Sequence, residues 1–115
     1  TTGVNDPRVV AAMAAVPRER FVPPEWRSLA YMDRPVPLGH GRELNLPEAT
    51  GRLLTAAQVA RGDRALLIGA ASGYSAALMA ELGAVVVALE TQPDLLALAR
   101  EALAGSPVQI AEGPL

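Results

Sequence analysis

From Asp63 onward the sequence alternates between two hydrophobic periodicities, and that alternation limits the folds open to the chain. Ala65-Leu66-Leu67-Ile68 is a short continuous apolar run of the kind found in a buried parallel strand. Gly69-Ala70-Ala71-Ser72-Gly73 is a small-residue turn, and Tyr74 to Leu82 reads as a helix capped by Gly83. Ala84-Val85-Val86-Val87-Ala88-Leu89 is the clearest strand in the chain. Thr91-Gln92-Pro93-Asp94 has capping-box spacing, and Leu95, Leu96, Leu98, Ala99 and Leu103 continue a helix to Gly105. Val108-Gln109-Ile110 opens a third strand. The order β-α-β-α-β predicts an α/β fold, a parallel sheet with right-handed crossovers.

The first half has a different texture. Seven of the ten prolines lie between Pro7 and Pro47. Asp6-Pro7 reads as a helix start, with Asp as N-cap and Pro at the first helical position. Val9, Val10, Met13 and Val16 recur at helical spacing until Pro17 ends the run. Val22-Pro23-Pro24 and Arg34-Pro35-Val36-Pro37-Leu38-Gly39 read as extended or turning connections. A second helix is predicted after Pro47, carrying Leu53, Leu54 and Val59 and closing near Arg61-Gly62. Two regions follow: residues 1–62, a helical and Pro-rich segment expected to pack on the sheet, and residues 63–115, the start of a cofactor-binding domain.

A small-residue turn between strand and helix lets a ligand approach the backbone and the positive helix end. Glu90 ends the next strand, 21 positions after Gly69, where a carboxylate can accept the hydroxyl hydrogens of a ribose. A generic turn with a solvent-facing Glu is the plainer reading, but turn and acid together at this spacing favour a nucleoside site. A dinucleotide fingerprint needs Gly at three places that are here Gly69, Ala71 and Tyr74. The G-x-G-x-G spacing of S-adenosylmethionine sites gives Gly69, Ala71 and Gly73, a miss of one methyl group. A phosphate loop of the Gly-Lys-Ser/Thr type is excluded, because all ten basic residues are Arg. The predicted cofactor contacts are Gly69, Ala70, Ala71, Ser72, Gly73 and Glu90, with no metal.

With those residues in place, the chain resembles the protein-L-isoaspartate O-methyltransferase family, which uses S-adenosylmethionine to repair isoaspartyl residues in damaged proteins. Val16-Pro17-Arg18-Glu19 with Phe21-Val22-Pro23 resembles the family's V-P-R-E-x-F-V-P. Ala30 through Gly39 resembles A-Y-x-D-x-P-L-P-I-G, with Asp33 in the acidic place. Gly41 through Pro47 sits where the family has G-Q-T-I-S-Q-P, Leu66 through Tyr74 on L-E-I-G-T-G-S-G-Y, and Val87 through Glu90 on V-x-x-I-E. The resemblance implies a Rossmann-like methyltransferase fold, S-adenosylmethionine as cofactor, and a protein or peptide substrate bearing isoaspartyl residues. It also departs. The serine of the acceptor loop is Asn45, the catalytic candidate here, and its threonine neighbour is Glu43. The cofactor loop has Leu67 for an acid, Ala70 for threonine and Ala71 for glycine, and G-D-G has become Gly113-Pro114-Leu115. A second reading follows from these losses: a catalytically degenerate homologue serving as a cofactor-binding or assembly module.

Composition removes other classes. Residues 1–57 hold seven Arg against six acids and residues 58–115 three against six, so no dense basic stripe exists and nucleic acid is not an expected partner. No apolar run approaches the ~20 residues of a membrane span, and membrane is likewise not expected. The chain has no Cys, so disulfides, thiolate chemistry and Cys-based zinc sites are excluded, and a cytoplasmic setting fits best. His40, in a Gly-His-Gly loop, reads as a turn residue, and Trp26 and Tyr31 as packing of the N-terminal segment. Arg18-Glu19-Arg20 reads as solvated ion pairs of little worth. The 115 residues match only about the N-terminal half of the expected fold. Three parallel strands would leave a pairing edge exposed, which predicts a truncated product or an assembly, such as a homo-oligomer, that covers it.

Overall fold

The structure, a computed structural model, describes residues 6–32 and 34–115; Asp33 of the family-like segment lies outside them. Helix α1 spans Pro7–Ala15, where Asp6 Oδ1 accepts from Arg8 N at 2.9 Å as the N-cap. Two 3-10 helices, Arg18–Phe21 and Pro24–Leu29, flank the Val22-Pro23 connection, the second beginning at the Pro24 read as part of it. The prolines do end regular helix there, but the spacing between them leaves room for tight turns. Val36–Gly39 (β1) and Arg42–Leu44 (β2) form an antiparallel hairpin instead of a simple connection. His40 in its turn has φ +57°, between Gly39 and Gly41 at +85° and +71°. Helix α2, Pro47–Ala57, stops earlier than the spacing suggested, at Gln58 in the left-handed conformation. Its Leu54 is buried, whereas Leu53 is exposed.

The second half alternates as the periodicity requires. Strands β3 (Arg64–Ile68), β4 (Val85–Glu90) and β5 (Gln109–Glu112) pair in parallel in the order β3-β4-β5. Helices α3 (Tyr74–Glu81) and α4 (Pro93–Ala102) form the crossovers. Helix α3 lies deep: Tyr74, Ala76, Ala77, Leu78 and Met79 are all buried. The N-terminal segment packs over it, with α1 against α2 and α3, and the Arg18–Phe21 turn against α4. Phe21 meets Tyr74 with ring centroids 5.5 Å apart. Arg8 Nη2 donates to Leu82 O at 3.1 Å, tying α1 to the end of α3. One apolar cluster runs through all these pieces, from Val9 to Leu103.

The sheet differs from the expected buried one in having a single covered face. The register sets Ala65 beside Val86 and Leu67 beside Ala88 on the covered side. The other side carries Leu66, Ile68 and Val85, each about 60% exposed (63%, 59% and 62%). A continuous apolar run has no parity, so it cannot reveal which of its faces is covered. Nor does the expected capping box form: Gln92 is the N-cap of α4 and makes no side-chain capping bond. No helix among the described residues is long and apolar enough to cross a membrane.

Candidate cofactor site

The turn after β3 is built by backbone geometry. Gly69 N and Ala70 N both donate to Leu89 O, at 2.9 and 3.0 Å, folding the turn down across the end of β4. Gly73 N closes it on Ala70 O at 2.9 Å. Gly73 has φ +92°, a conformation that calls for glycine, and a Cβ there would lie 2.8 Å from Leu103 Cδ1, a side-chain end that would have to shift. Ala71 sits at φ +53° without that freedom. An L-residue in the left-handed region is less stable by roughly 1–2 kcal/mol. The methyl by which the sequence misses the G-x-G-x-G spacing is therefore on a backbone that suits glycine better.

Glu90 ends β4 on the covered side, with only 1% of its surface exposed. Its carboxylate accepts from Ala71 N at 2.7 Å, Thr91 N at 2.7 Å and Gln92 N at 3.0 Å. Arg42, reaching from β2, adds Nη1 at 3.2 Å on Oε2 and a close Nη2 contact on Oε1. Burial alone would push this carboxyl up, but the guanidinium and the three backbone N–H groups outweigh it and hold the pKa at about 2. Glu90 is thus a fully ionised carboxylate at neutral pH, sheltered among donors.

The structure brings Gly69 through Gly73 and Glu90 into one hydrogen-bonded unit. Ala70 is buried within it, and Ser72 is wholly buried, its Oγ without a hydrogen-bond partner among the described residues. Asn45 is not joined to that unit. It is exposed just past β2, and the bond recorded for it is its backbone carbonyl accepting from Arg18 Nη2 at 2.7 Å.

Arg18 corrects the reading of Arg18-Glu19-Arg20 as solvated charges. It is 1% exposed, donates through Nε to Ala30 O, and lies 5.0 Å over the Tyr74 ring. The 3-10 turn rotates this one member of the charged triplet inward, and the aromatic face and carbonyls replace water. Tyr31 is exposed, donating to Glu19 and accepting from Arg18 N at 3.0 Å, so it packs less than expected. Trp26 is partly buried against the core. Sequence reasoning missed both Arg42 and the buried role of Arg18. A signal for Arg42 existed in Gly39-His40-Gly41, a turn that returns the chain as a strand.

A small-residue turn between parallel strands, with a carboxylate at the end of the second, defines the class of Rossmann-like cofactor domains. Comparison with known proteins narrows the class. The family model for protein-L-isoaspartate(D-aspartate) O-methyltransferase matches residues 1–111, and the chain belongs to that family. It is 45% identical over 102 residues to protein-L-isoaspartate O-methyltransferase 2 of Anaeromyxobacter sp., covering 89% of this chain and 42% of that protein. It is 48% identical over 103 residues to the protein-L-isoaspartate O-methyltransferase of Aeropyrum pernix, covering 87% and 40%. Among solved structures, a Plasmodium falciparum chain described as a protein-L-isoaspartate O-methyltransferase, in complex with S-adenosyl-L-homocysteine, superposes with a TM-score of 0.80. That likeness, at 23% identity, covers 94% of this chain and 56% of the other, and establishes the Rossmann-like methyltransferase fold. The chain spans less than half the length of the curated relatives named here.

Proposed function

We propose that the chain supplies the S-adenosylmethionine-binding part of a methyltransferase that esterifies isoaspartyl carboxylates in protein or peptide substrates. The observation that carries this reading is Glu90: an ionised carboxylate at the carboxyl end of β4, hydrogen-bonded to the turn that starts α3. The residues present fit the cofactor. Glu90 is the acceptor for ribose hydroxyls once the Arg42 guanidinium gives way, and Gly69 at φ +72° has no side chain of its own to bar close approach to its backbone. The bound cofactor supplies an electrophilic methyl group on a sulfonium.

The acceptor, a carboxylate of pKa ~4, is already ionised at neutral pH, so no residue of the chain must take up a proton. What remains for the protein is alignment and exclusion of water. Asn45 stands at the acceptor loop, with a side-chain amide able to donate a hydrogen bond. The two regions 1–62 and 63–115 divide this labour, the first carrying the acceptor loop and the second the cofactor turn. A cytoplasmic setting agrees with the lack of Cys.

The second reading, a cofactor-binding or assembly module without catalysis, is favoured by Ala71 at φ +53°, a strained departure inside the cofactor turn. Self-association along β3, whose Leu66 and Ile68 are exposed, would suit such a module.

The test is binding followed by transfer. S-adenosyl-L-homocysteine at ~100 times Kd should stabilise the purified protein by ~2.7 kcal/mol in thermal unfolding, and no shift refutes the cofactor reading. An isoaspartyl peptide should then accept a radiolabelled methyl group. Binding without transfer would leave the module.

A further inference from the structure

The cofactor reading treats Glu90 as available to a ribose, and in this structure it is not. A carboxylate offers about four acceptor positions. Five N–H donors already occupy this one: Ala71, Thr91 and Gln92 from the backbone, and both terminal nitrogens of Arg42. The backbone donors are fixed by the turn and by the start of α4. Only the two guanidinium bonds can be exchanged. The same side chain also stands, beside Leu115, over the glycine that gives a ligand access: Nη2 lies 3.5 Å and Leu115 Cδ1 3.7 Å from where a Cβ of Gly69 would be.

Resting on that cofactor reading, we infer that Arg42 is an internal competitor that lowers the affinity of the nucleoside site. Its guanidinium holds the ribose position on Glu90 and covers Gly69, and a ligand with a free ribose diol binds only by displacing it. With both guanidinium bonds gone, three backbone donors remain and about one acceptor position opens, enough for one strong hydroxyl contact. The competitor is held in place from its own element. Arg42 begins β2, paired with β1, and the hairpin turn is tied to α4 by His40 Nε2, 2.8 Å from Asp94 Oδ1. That second link is exposed and weak, so the bidentate Arg42–Glu90 pair is the stronger hold.

The experiment is isothermal titration of S-adenosyl-L-homocysteine into the purified protein and into Arg42→Gln and Arg42→Lys. Charge-assisted hydrogen bonds of this kind correspond to at least about tenfold in an equilibrium, so Arg42→Gln should bind at least about tenfold more tightly. Arg42→Lys, which keeps the charge but loses the fork, should fall between. A residue that merely supported the site would weaken binding when removed.

Equal or weaker binding by the Gln variant, with the wild type binding, overturns the competitor and leaves the cofactor reading intact. No binding by any of the three overturns both. The wild type alone gives a further check should a variant fail to fold. On saturation with S-adenosyl-L-homocysteine the Arg42 side-chain nitrogen resonances should move to solvent-exchanging positions. Signals that stay protected in the bound state overturn the proposal.

Discussion

Glu90→Gln removes one charge while keeping the shape of the side chain, and the structure sets how much stability should go with it. The carboxyl is held at about 2 in the fold against an ordinary value of 4.5. A difference of roughly 2.5 pKa units corresponds to about 3 kcal/mol of stability tied to the ionised form. Because the folded-state value is the lower one, this stability is complete above the unfolded pKa of 4.5. It drains away as pH falls towards 2. The Gln side chain does not ionise, so the variant's stability should lack this part of the acid dependence. At pH 7 it should be less stable than the wild type by about 3 kcal/mol. The amide nitrogen facing backbone donors and the unpaired Arg42 add to this, which keeps the deficit within the ~3–5 kcal/mol seen on breaking buried pairs.

At pH 2 the part of the gap set by ionisation should shrink to less than about 1 kcal/mol. Urea unfolding of both proteins at pH 7, 5, 4, 3 and about 2 measures this, each midpoint multiplied by its slope. The other carboxylates are common to both chains and cancel in the difference. A gap that stays constant from pH 7 to pH 3, or one below about 1 kcal/mol at pH 7, would refute the account of Glu90 as a buried, ionised hub.

Gly73→Ala should destabilise the chain by about 1–2 kcal/mol, since φ +92° opposes a methyl and the Leu103 side-chain end 2.8 Å away must shift; thermal unfolding reads this directly. Ala71→Gly should do the reverse, raising stability by about 0.5–1 kcal/mol as relief of the +53° conformation outweighs the added freedom of the unfolded chain. Combined with Asn45→Ser it should raise methyl transfer to an isoaspartyl peptide, and no gain would show that neither position limits the rate. Leu78→Ala, in a helix whose Leu78 is 0% exposed, should lose about 2–5 kcal/mol by urea unfolding without altering the acid dependence assigned to Glu90.

The parts of the fold that were legible in the sequence are those in which one short segment decides the outcome. A turn of Gly and Ala between an apolar run and a helical pattern has few alternatives, and Glu90 at the end of the next strand follows from counting. Two of the misreadings share a cause: what decides them lies far along the chain. Arg18 looks like one of three surface charges until Tyr74, 56 positions later, supplies a face to lie on. Leu66 and Ile68 look buried because nothing local tells a covered side of a sheet from an open one.

Thr91 shows the same effect over a shorter distance. The sequence offers it as the cap of α4, but its own N–H and that of Gln92 point back to the Glu90 carboxylate. Donors at the entry to α4, which the spacing assigned to a capping side chain, are answered by the residue before the expected box. The acid singled out for a ligand is therefore also a piece of the scaffold.

That double duty gives the site its character. One carboxylate fastens the cofactor turn through Ala71, the entry to α4 through Thr91 and Gln92, and the β1–β2 hairpin through Arg42. The first two attachments are backbone and short, so they persist whatever is bound. The third is a side chain on a strand that leads, three residues later, to Asn45. A ribose that takes the place of Arg42 exchanges a tether on the hairpin for a tether on the ligand, leaving the turn and α4 as they were. Cofactor occupancy and this one hold on the β1–β2 hairpin are then opposite ends of one exchange at Glu90. A chain lacking the guanidinium should bind cofactor more tightly, while its hairpin keeps the His40–Asp94 link and Asn45 keeps the Arg18 bond to its carbonyl.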